Sequence, residues 1–452
     1  MENDELISVL ASWNFWGGKQ IDTGLERPFY VDKILNLLNE NNIIAETGVR
    51  RCGKSFIARQ VVKRLINGTD GKNVLIINLE DERFISRDYG LLLQAYESYK
   101  SILKPGRKPL IVIDEAQEVE GWEKFVRGLT ERNEAKFIIT GSSSKLLSSE
   151  YSTLLSGRQI TICVAPLSFS EFLAFKGMKT DKLSIVANAE KIRRHFDEYL
   201  HFGGFPVVVL NSEKNELLLS YFDTIMVKDV ISRYRLRNEV KLRSLAKFYL
   251  TNIASEITFN SVSRFLNIPV KTAQRFSEYI ASSSVIFFVD RLSFSPKEKE
   301  NSPRKVYSID NGIASAIGTN FMEIKGRMLE NIVAQHIYAY CKKDRNSSMY
   351  YWREKGQGSK GKAVDFVLKR GNALCPIQVS YSVRDPKAKE REISALIRCA
   401  KELNVKTGII VTYEYSGNEK IEGINIEYKK AYNWLLDDPG KMAARQCGNR
   451  IT

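Results

Sequence analysis

The stretch Gly48-Val49-Arg50-Arg51-Cys52-Gly53-Lys54-Ser55 follows the spacing G-x-x-x-x-G-K-[ST] at every position. An apolar run, Ile43-Ile44-Ala45, leads into it. Phe56-Ile57-Ala58-Arg59-Gln60-Val61-Val62 leaves it with helical periodicity. Strand, glycine-rich turn and helix are the context in which this spacing binds phosphate. The glycines let backbone N–H groups close round an anion, and the helix N-terminus adds partial positive charge. Residues 48–56, ending at Phe56, are therefore expected to cradle the phosphates of ATP. Lys54 is expected to reach the β- and γ-phosphates and Ser55 to ligate Mg²⁺. Arg50 and Arg51 fall where the backbone does the binding, so their side chains are expected to face solvent.

Sixty residues beyond Lys54, the apolar run Leu110-Ile111-Val112-Ile113 ends in Asp114-Glu115. This is the acidic partner of such a loop. Asp114 would hold Mg²⁺ through water, and Glu115 would polarise the attacking water. Short apolar runs at 43–46, 74–79, 110–114, 136–140 and 160–164 read as buried parallel strands with helices on both faces. The fourth run enters Gly141-Ser142-Ser143-Ser144. A polar group at the tip of a strand lying between the two phosphate-site strands can touch a γ-phosphate, so Ser142 or Ser143 is the candidate sensor. Arg158, in Leu154-Leu155-Ser156-Gly157-Arg158, could stabilise a transferring phosphoryl group in its own or a neighbouring subunit. A homo-oligomer is compatible with that role.

The chain has 452 residues, enough for two to four domains. Its six cysteines show no metal-ligand or redox spacing, and it has three histidines. That composition points to a reduced, cytoplasmic protein without a zinc site. The acidic opening Met-Glu-Asn-Asp-Glu lacks the shape of a secretion signal. No apolar run approaches the roughly 18 residues needed to cross a bilayer. The net charge is +15 and is unevenly spread. Residues 1–230 carry 30 basic and 31 acidic side chains, and residues 231–452 carry 38 and 22. The excess can be a solubility surface, or it can meet an anionic partner, most simply nucleic acid.

From 168 to 236 the periodicity is helical, broken at Gly203-Gly204-Phe205-Pro206, as suits a lid over a nucleotide. Residues 237–319 read as a winged helix. Helices at 242–253, 261–266 and 270–282 precede strands at 285–289 and 305–309 around a basic loop. In the third helix Ala273, Phe276 and Ile280 would face the core, leaving Lys271, Thr272 and Arg275 outward as candidate DNA contacts. Residues 320–435 read as an α/β domain with helices at 326–341 and 387–403 and strands at 349–352, 363–369, 374–380 and 408–412. Residues 436–452 form a tail.

Taken in order, these pieces resemble a family of archaeal and bacterial AAA-type ATPases. Its landmarks here are the loop at 48–55, Ile-Asp-Glu-Ala-Gln at 113–117, Ile-Thr-Gly-Ser-Ser-Ser-Lys-Leu-Leu at 139–147, Leu-Ser-Gly-Arg at 155–158 and Gly-Gly-Phe-Pro at 203–206. Lys-Asp-Val at 228–230, Leu-Glu-Asn at 329–331 and Val-Asp-Phe at 364–366 follow. The resemblance implies an α/β multidomain chain: a P-loop NTPase core of AAA type (1–167), helical lid, winged helix, and a domain similar to PD-(D/E)xK restriction-endonuclease-like folds. In such nucleases an acidic residue on one strand and E-x-K on the next hold a metal, often with a glutamate from the first helix. Here Glu330 and Asp365 fill the acidic places, but the E-x-K position reads Gln378-Val379-Ser380. One carboxylate and one cation are missing from a reaction that needs both. The resemblance thus implies a degenerate nuclease fold kept for binding, unless Lys362 or Lys369 substitutes from a neighbouring position.

The expected function is an ATPase that uses ATP and Mg²⁺ and couples nucleotide state to DNA binding through residues 237–452. An ATP-dependent nuclease, and a signalling switch whose C-terminal domains bind protein, remain alternatives.

Overall fold

A computed structural model describes residues 3–69, 71–142, 159–236, 238–293, 295, 298, 302–318, 325–354 and 361–440. Candidate residues Ser143 and Arg158 lie outside the described residues. The chain divides into two compact units, Met1–Val164 and Ala165–Thr452.

The first unit is built on strands β1 (Ile43–Gly48), β2 (Val74–Asn78), β3 (Leu110–Asp114), β4 (Lys136–Ser142) and β5 (Gln159–Cys163). They form one sheet in the order β2-β3-β4-β1-β5, and every pairing is parallel. This is the five-stranded parallel sheet of a P-loop NTPase, and it places β4 between the loop strand β1 and the acidic strand β3. Side chains alternate between the two faces. One face buries Leu75, Ile77, Ile111, Ile113, Phe137 and Ile139 against helices α1 (Asn3–Trp13), α4 (Tyr89–Leu103) and α5 (Trp122–Glu131). The other packs on α2 (Pro28–Glu40) and the loop helix α3 (Lys54–Ile66). Helices α1 and α2 lie outside the runs that the sequence singles out.

The second unit opens with helices α6 (Phe169–Phe175), α7 (Lys182–Ala187), α8 (Ala189–Phe202), α9 (Pro206–Leu210) and α10 (Lys214–Thr224). Helix α10 continues as a π-helical turn, Ile225–Ile231. Next come α11 (Glu239–Thr251), β6 (Ser255–Ile257), α12 (Phe259–Leu266), α13 (Val270–Ser282), β7 (Ile286–Val289) and β8 (Arg304–Ser308). The three strands pair antiparallel in the order β6-β8-β7. Helices α14 (Asn311–Ile317) and α15 (Lys325–Lys343) lead into a mixed six-stranded sheet. Its strands are β9 (Ser347–Arg353), β10 (Ala363–Arg370), β11 (Ala373–Ser380), β12 (Thr407–Thr412), β13 (Gly417–Ile421) and β14 (Ile424–Lys430), in the order β13-β14-β12-β11-β10-β9. Helix α16 (Pro386–Glu402) packs on β10 and β11.

The Gly-Gly-Phe-Pro break has a structural cause. Gly203 ends α8 at φ +70°, ψ −157°, a conformation open only to glycine. A Cβ there would lie 2.1 Å from Oδ1 of the buried Asp310. That carboxylate accepts the Gly204 N–H at 2.7 Å and the Gly312 N–H at 2.8 Å. Asn311 then donates to the Leu200 and Met328 carbonyls, both at 3.0 Å, and accepts from Asn331 at 2.7 Å. The latch joins the end of α8 to the starts of α14 and α15. Gly203→Ala combines a forbidden dihedral with a clash. It should destabilise the protein by about 1–3 kcal/mol, read as a lowered thermal midpoint. An unchanged midpoint would show that the latch is not rigid.

Candidate functional site

Loop 48–55 turns sharply as β1 passes into α3. Gly48 has φ +151°, and a Cβ on it would lie 2.1 Å from the Val164 carbonyl. Gly53, at φ +102°, caps α3. Cys52 is wholly buried, and its thiol donates to the Val164 carbonyl at 3.3 Å. Arg27 donates to the Cys52 carbonyl at 3.0 Å and Arg59 to the Ser55 carbonyl at 3.1 Å, bracing the loop from outside. Arg51 is exposed, as the sequence suggests. Arg50 is not: it is buried and pairs with Glu80 at 2.8 Å, just beyond β2.

Parallel pairing sets the chemistry of the sheet face beneath α3. Glu46 registers with Thr140, and alternation places Asp114 on the same face. Ser55 Oγ donates to Asp114 Oδ1 at 2.8 Å. Thr140 Oγ1 donates to the same oxygen and accepts the Glu115 N–H at 3.0 Å. Lys54 Nζ donates to the Gly48 and Val49 carbonyls at 3.2 and 3.3 Å. Glu115 takes φ +57°, and its carboxylate accepts from the Gln117 side chain. Burial pushes the Asp114 carboxyl above its ordinary range, helped by Glu115. Glu46 is fully buried, and neither of its carboxylate oxygens finds a hydrogen-bond partner. Burial, then Asp114, push it well above the usual carboxylate range.

The donor set fits a nucleotide with its cation. Ser55 and Asp114 supply adjacent hard oxygens of the kind Mg²⁺ takes. Lys54 and the N-terminus of α3 supply positive charge for phosphate. Ser142 is the last residue of β4, opposite Gly48. The sequence reading passed over Glu46 and Thr140. Glu46 carries a visible signal, a charge inside an apolar strand. Thr140 stands two residues before Ser142, and only the register reveals its contact with Asp114.

In the second unit, Ala273, Phe276 and Ile280 are buried while Lys271 and Arg275 are exposed and Thr272 is half-buried. Glu330 and Asp365 come together, with a lysine between them that the sequence did not single out. Lys305 Nζ lies 2.9 Å from Glu330 Oε1 and 2.8 Å from Asp365 Oδ1. Tyr307 donates to Glu330 Oε1 at 2.7 Å, and the Val379 N–H to Asp365 Oδ2 at 3.0 Å. Gln378 accepts the Asp365 N–H at 3.1 Å and donates to Glu392 at 2.5 Å. Ser380 points elsewhere, donating to the Ser382 carbonyl at 3.1 Å. Lys362 and Lys369 are exposed. With an ammonium between its acids, this cluster does not fit the metal that the nuclease resemblance implies.

The family described as an AAA domain matches residues 40–173. Two families described as domains of unknown function, DUF8612 and DUF4143, match 193–323 and 325–430. The uncharacterized protein MJ1544 of Methanocaldococcus jannaschii is 33% identical over 84% of this chain and 84% of its own. An uncharacterized protein of Haemophilus influenzae is 27% identical over 91% of this chain and 98% of its own. Among solved structures, the Walker-type ATPase PABY2304 of Pyrococcus abyssi matches with a TM-score of 0.44 at 14% identity, covering 65% of this chain and 95% of that one.

Thr140→Val keeps the side-chain shape but removes the hydroxyl. The Glu115 N–H then lacks its acceptor and Asp114 loses a donor. A buried donor left without a partner costs about 1–3 kcal/mol, so the unfolding midpoint should fall, and Thr140→Ser should restore it. Equal midpoints for the valine and wild-type proteins would remove Thr140 from the site.

Proposed function

The chain belongs to the family of the Methanocaldococcus jannaschii protein MJ1544, with an AAA-type ATPase domain at residues 40–173, and we propose that it hydrolyses ATP and couples nucleotide state to DNA binding. The observation that carries the ATPase reading is the Ser55–Asp114 hydrogen bond beside Lys54, with Glu115 next in the chain. Mg²⁺ held by Ser55 and Asp114 would neutralise phosphate charge. Lys54 would exchange its loop carbonyls for phosphate oxygens. Glu115 would take the proton from the attacking water, oriented through the Thr140 hydroxyl that fixes its backbone. Ser142 and Arg158 stand as proposals for the sensor and the phosphoryl-stabilising cation.

The DNA reading rests on the basic excess after residue 231 and on the pattern of residues 237–319. Three helices with a three-stranded antiparallel sheet support a winged helix, and Lys271 and Arg275 are exposed on its third helix. A degenerate nuclease-like domain at 320–435 is the accompanying proposal, supported by the pairing of Lys305 with both carboxylates. The protein-binding alternative has one specific support: Val240, Phe265 and Val270 are 77%, 58% and 41% exposed in the same module. The described cysteines carry free thiols, which suits a cytoplasmic location. No helix among the described residues is long and apolar enough to cross a membrane.

Lys54→Ala should lose nucleotide affinity. Glu115→Gln should still bind ATP but turn over at least about a hundredfold more slowly, because only the proton acceptor is gone. Binding of a fluorescent ATP analogue and phosphate release separate the two effects. Wild-type turnover in Glu115→Gln refutes the role of Glu115.

For DNA, Lys271→Ala/Arg275→Ala should weaken binding of a duplex to the full chain and lower the salt slope by about two. An unchanged slope moves the contact off the third helix. Binding of no nucleic acid at low salt leaves the protein-partner reading in its place.

A further inference from the structure

Lys305 is 6% exposed and bonds two carboxylates. The groups of the cluster come from six elements, β9 supplying Tyr351. Strand β8 brings Lys305 and Tyr307, helix α15 Glu330, strand β10 Asp365, strand β11 Gln378, and helix α16 Glu392 with its neighbour Arg391. The Tyr351 ring lies 5.9 Å from the ammonium. Glu392 has its own cation, Arg391, at 2.7 Å. That leaves Glu330 and Asp365 to share Lys305. Two buried like charges this close cannot both ionise without a cation between them.

We propose that the Lys305 ammonium is the permanent cation of this cluster, holding the place of a divalent metal and fastening β8 to α15 and β10. The backbone explains why the ammonium stays. Lys305 sits on the central strand of its sheet, registered with Glu256 on one side and Val289 on the other. The strand cannot peel away from one edge. The lysine also comes from the segment matched at 193–323, while both its acids come from the segment matched at 325–430. The pair therefore joins two family segments across 60 residues of chain, in the manner of a structural metal. A divalent ion reaching the acids would meet the ammonium first. Removing Lys305 should turn the cluster into a divalent site, since Glu330 and Asp365 then lose the one cation that bonds them both.

The test uses the full chain without nucleotide, with Mn²⁺ as the probe. Wild-type protein should shift its thermal midpoint by less than about 1 °C in millimolar Mn²⁺, whereas Lys305→Met should rise by roughly 3–8 °C. Manganese resonance should show one bound ion in Lys305→Met that Lys305→Met/Asp365→Asn lacks. Lys305→Arg keeps a cation and should refuse Mn²⁺. Folded Lys305→Met that binds no Mn²⁺ overturns the proposal. So does wild-type protein that binds an ion lost in Asp365→Asn, or that cuts plasmid in a manner abolished by Asp365→Ala. The wild-type arms decide the matter even if Lys305→Met fails to fold.

Discussion

A carboxylate taken out of water must be met by protons, dipoles or an opposite charge, or it will not stay ionised. Each buried acid that organises this chain is met in a different way. Asp310 is met by backbone N–H groups, because Gly203 and Gly204 bring the chain close enough for them to point inward. Glu330 and Asp365 are met by a lysine. Asp114 is met by two hydroxyls, Ser55 and Thr140, which are weak partners for a full negative charge. The kind of partner separates these sites: fixed backbone groups and an ammonium at two of them, rotatable hydroxyls at the third. An acid saturated by fixed partners can only hold the fold together. An acid served by hydroxyls still has capacity for a stronger partner.

The same contrast separates the two lysines that matter. Lys54 donates to the neutral Gly48 and Val49 carbonyls of its own loop, at 3.2 and 3.3 Å, and lies near the Glu46 carboxyl. Phosphate oxygens would be stronger acceptors, so exchange is favourable. Lys305 already has two carboxylates at under 3 Å, and nothing arriving from solvent improves on them. Burial alone would lower its pKa, but Asp365 and Glu330 hold it above the ordinary lysine value. It stays charged wherever the protein is folded.

What the sequence makes legible follows from how local the physics is. Loop 48–55 and the run ending at Asp114-Glu115 are contiguous, and their partners lie in the flanking strand and helix. Strands of the parallel sheet read as apolar runs because both faces are covered. The edge strand β13, Gly417–Ile421, holds one apolar side chain, Ile421, and reads as loop, while β14, Ile424–Lys430, lacks the continuous apolar run of a buried strand. Only Ile424, Ile426 and Tyr428 reveal the inward face of β14. Thr140 carries no motif signal, because its contact depends on register. Arg50 turns away from solvent because its partner, Glu80, stands just beyond the end of a different strand, β2.

Lys305 was invisible for a stronger reason. The sequence comparison asks whether E-x-K stands on β11, and finds Gln378 and Ser380 there. A cation stands beside both acids all the same, delivered by another sheet. Gln378 fits that arrangement better than a glutamate would. Its oxygen takes the Asp365 N–H, and its amide donates to Glu392. A glutamate at 378 could not donate, and would set a further negative charge between Asp365 and Glu392. Gln378 is therefore the residue that the lysine-filled cluster requires. Replacing Gln378 alone by glutamate would add negative charge to a site whose carboxylates already outnumber its cations.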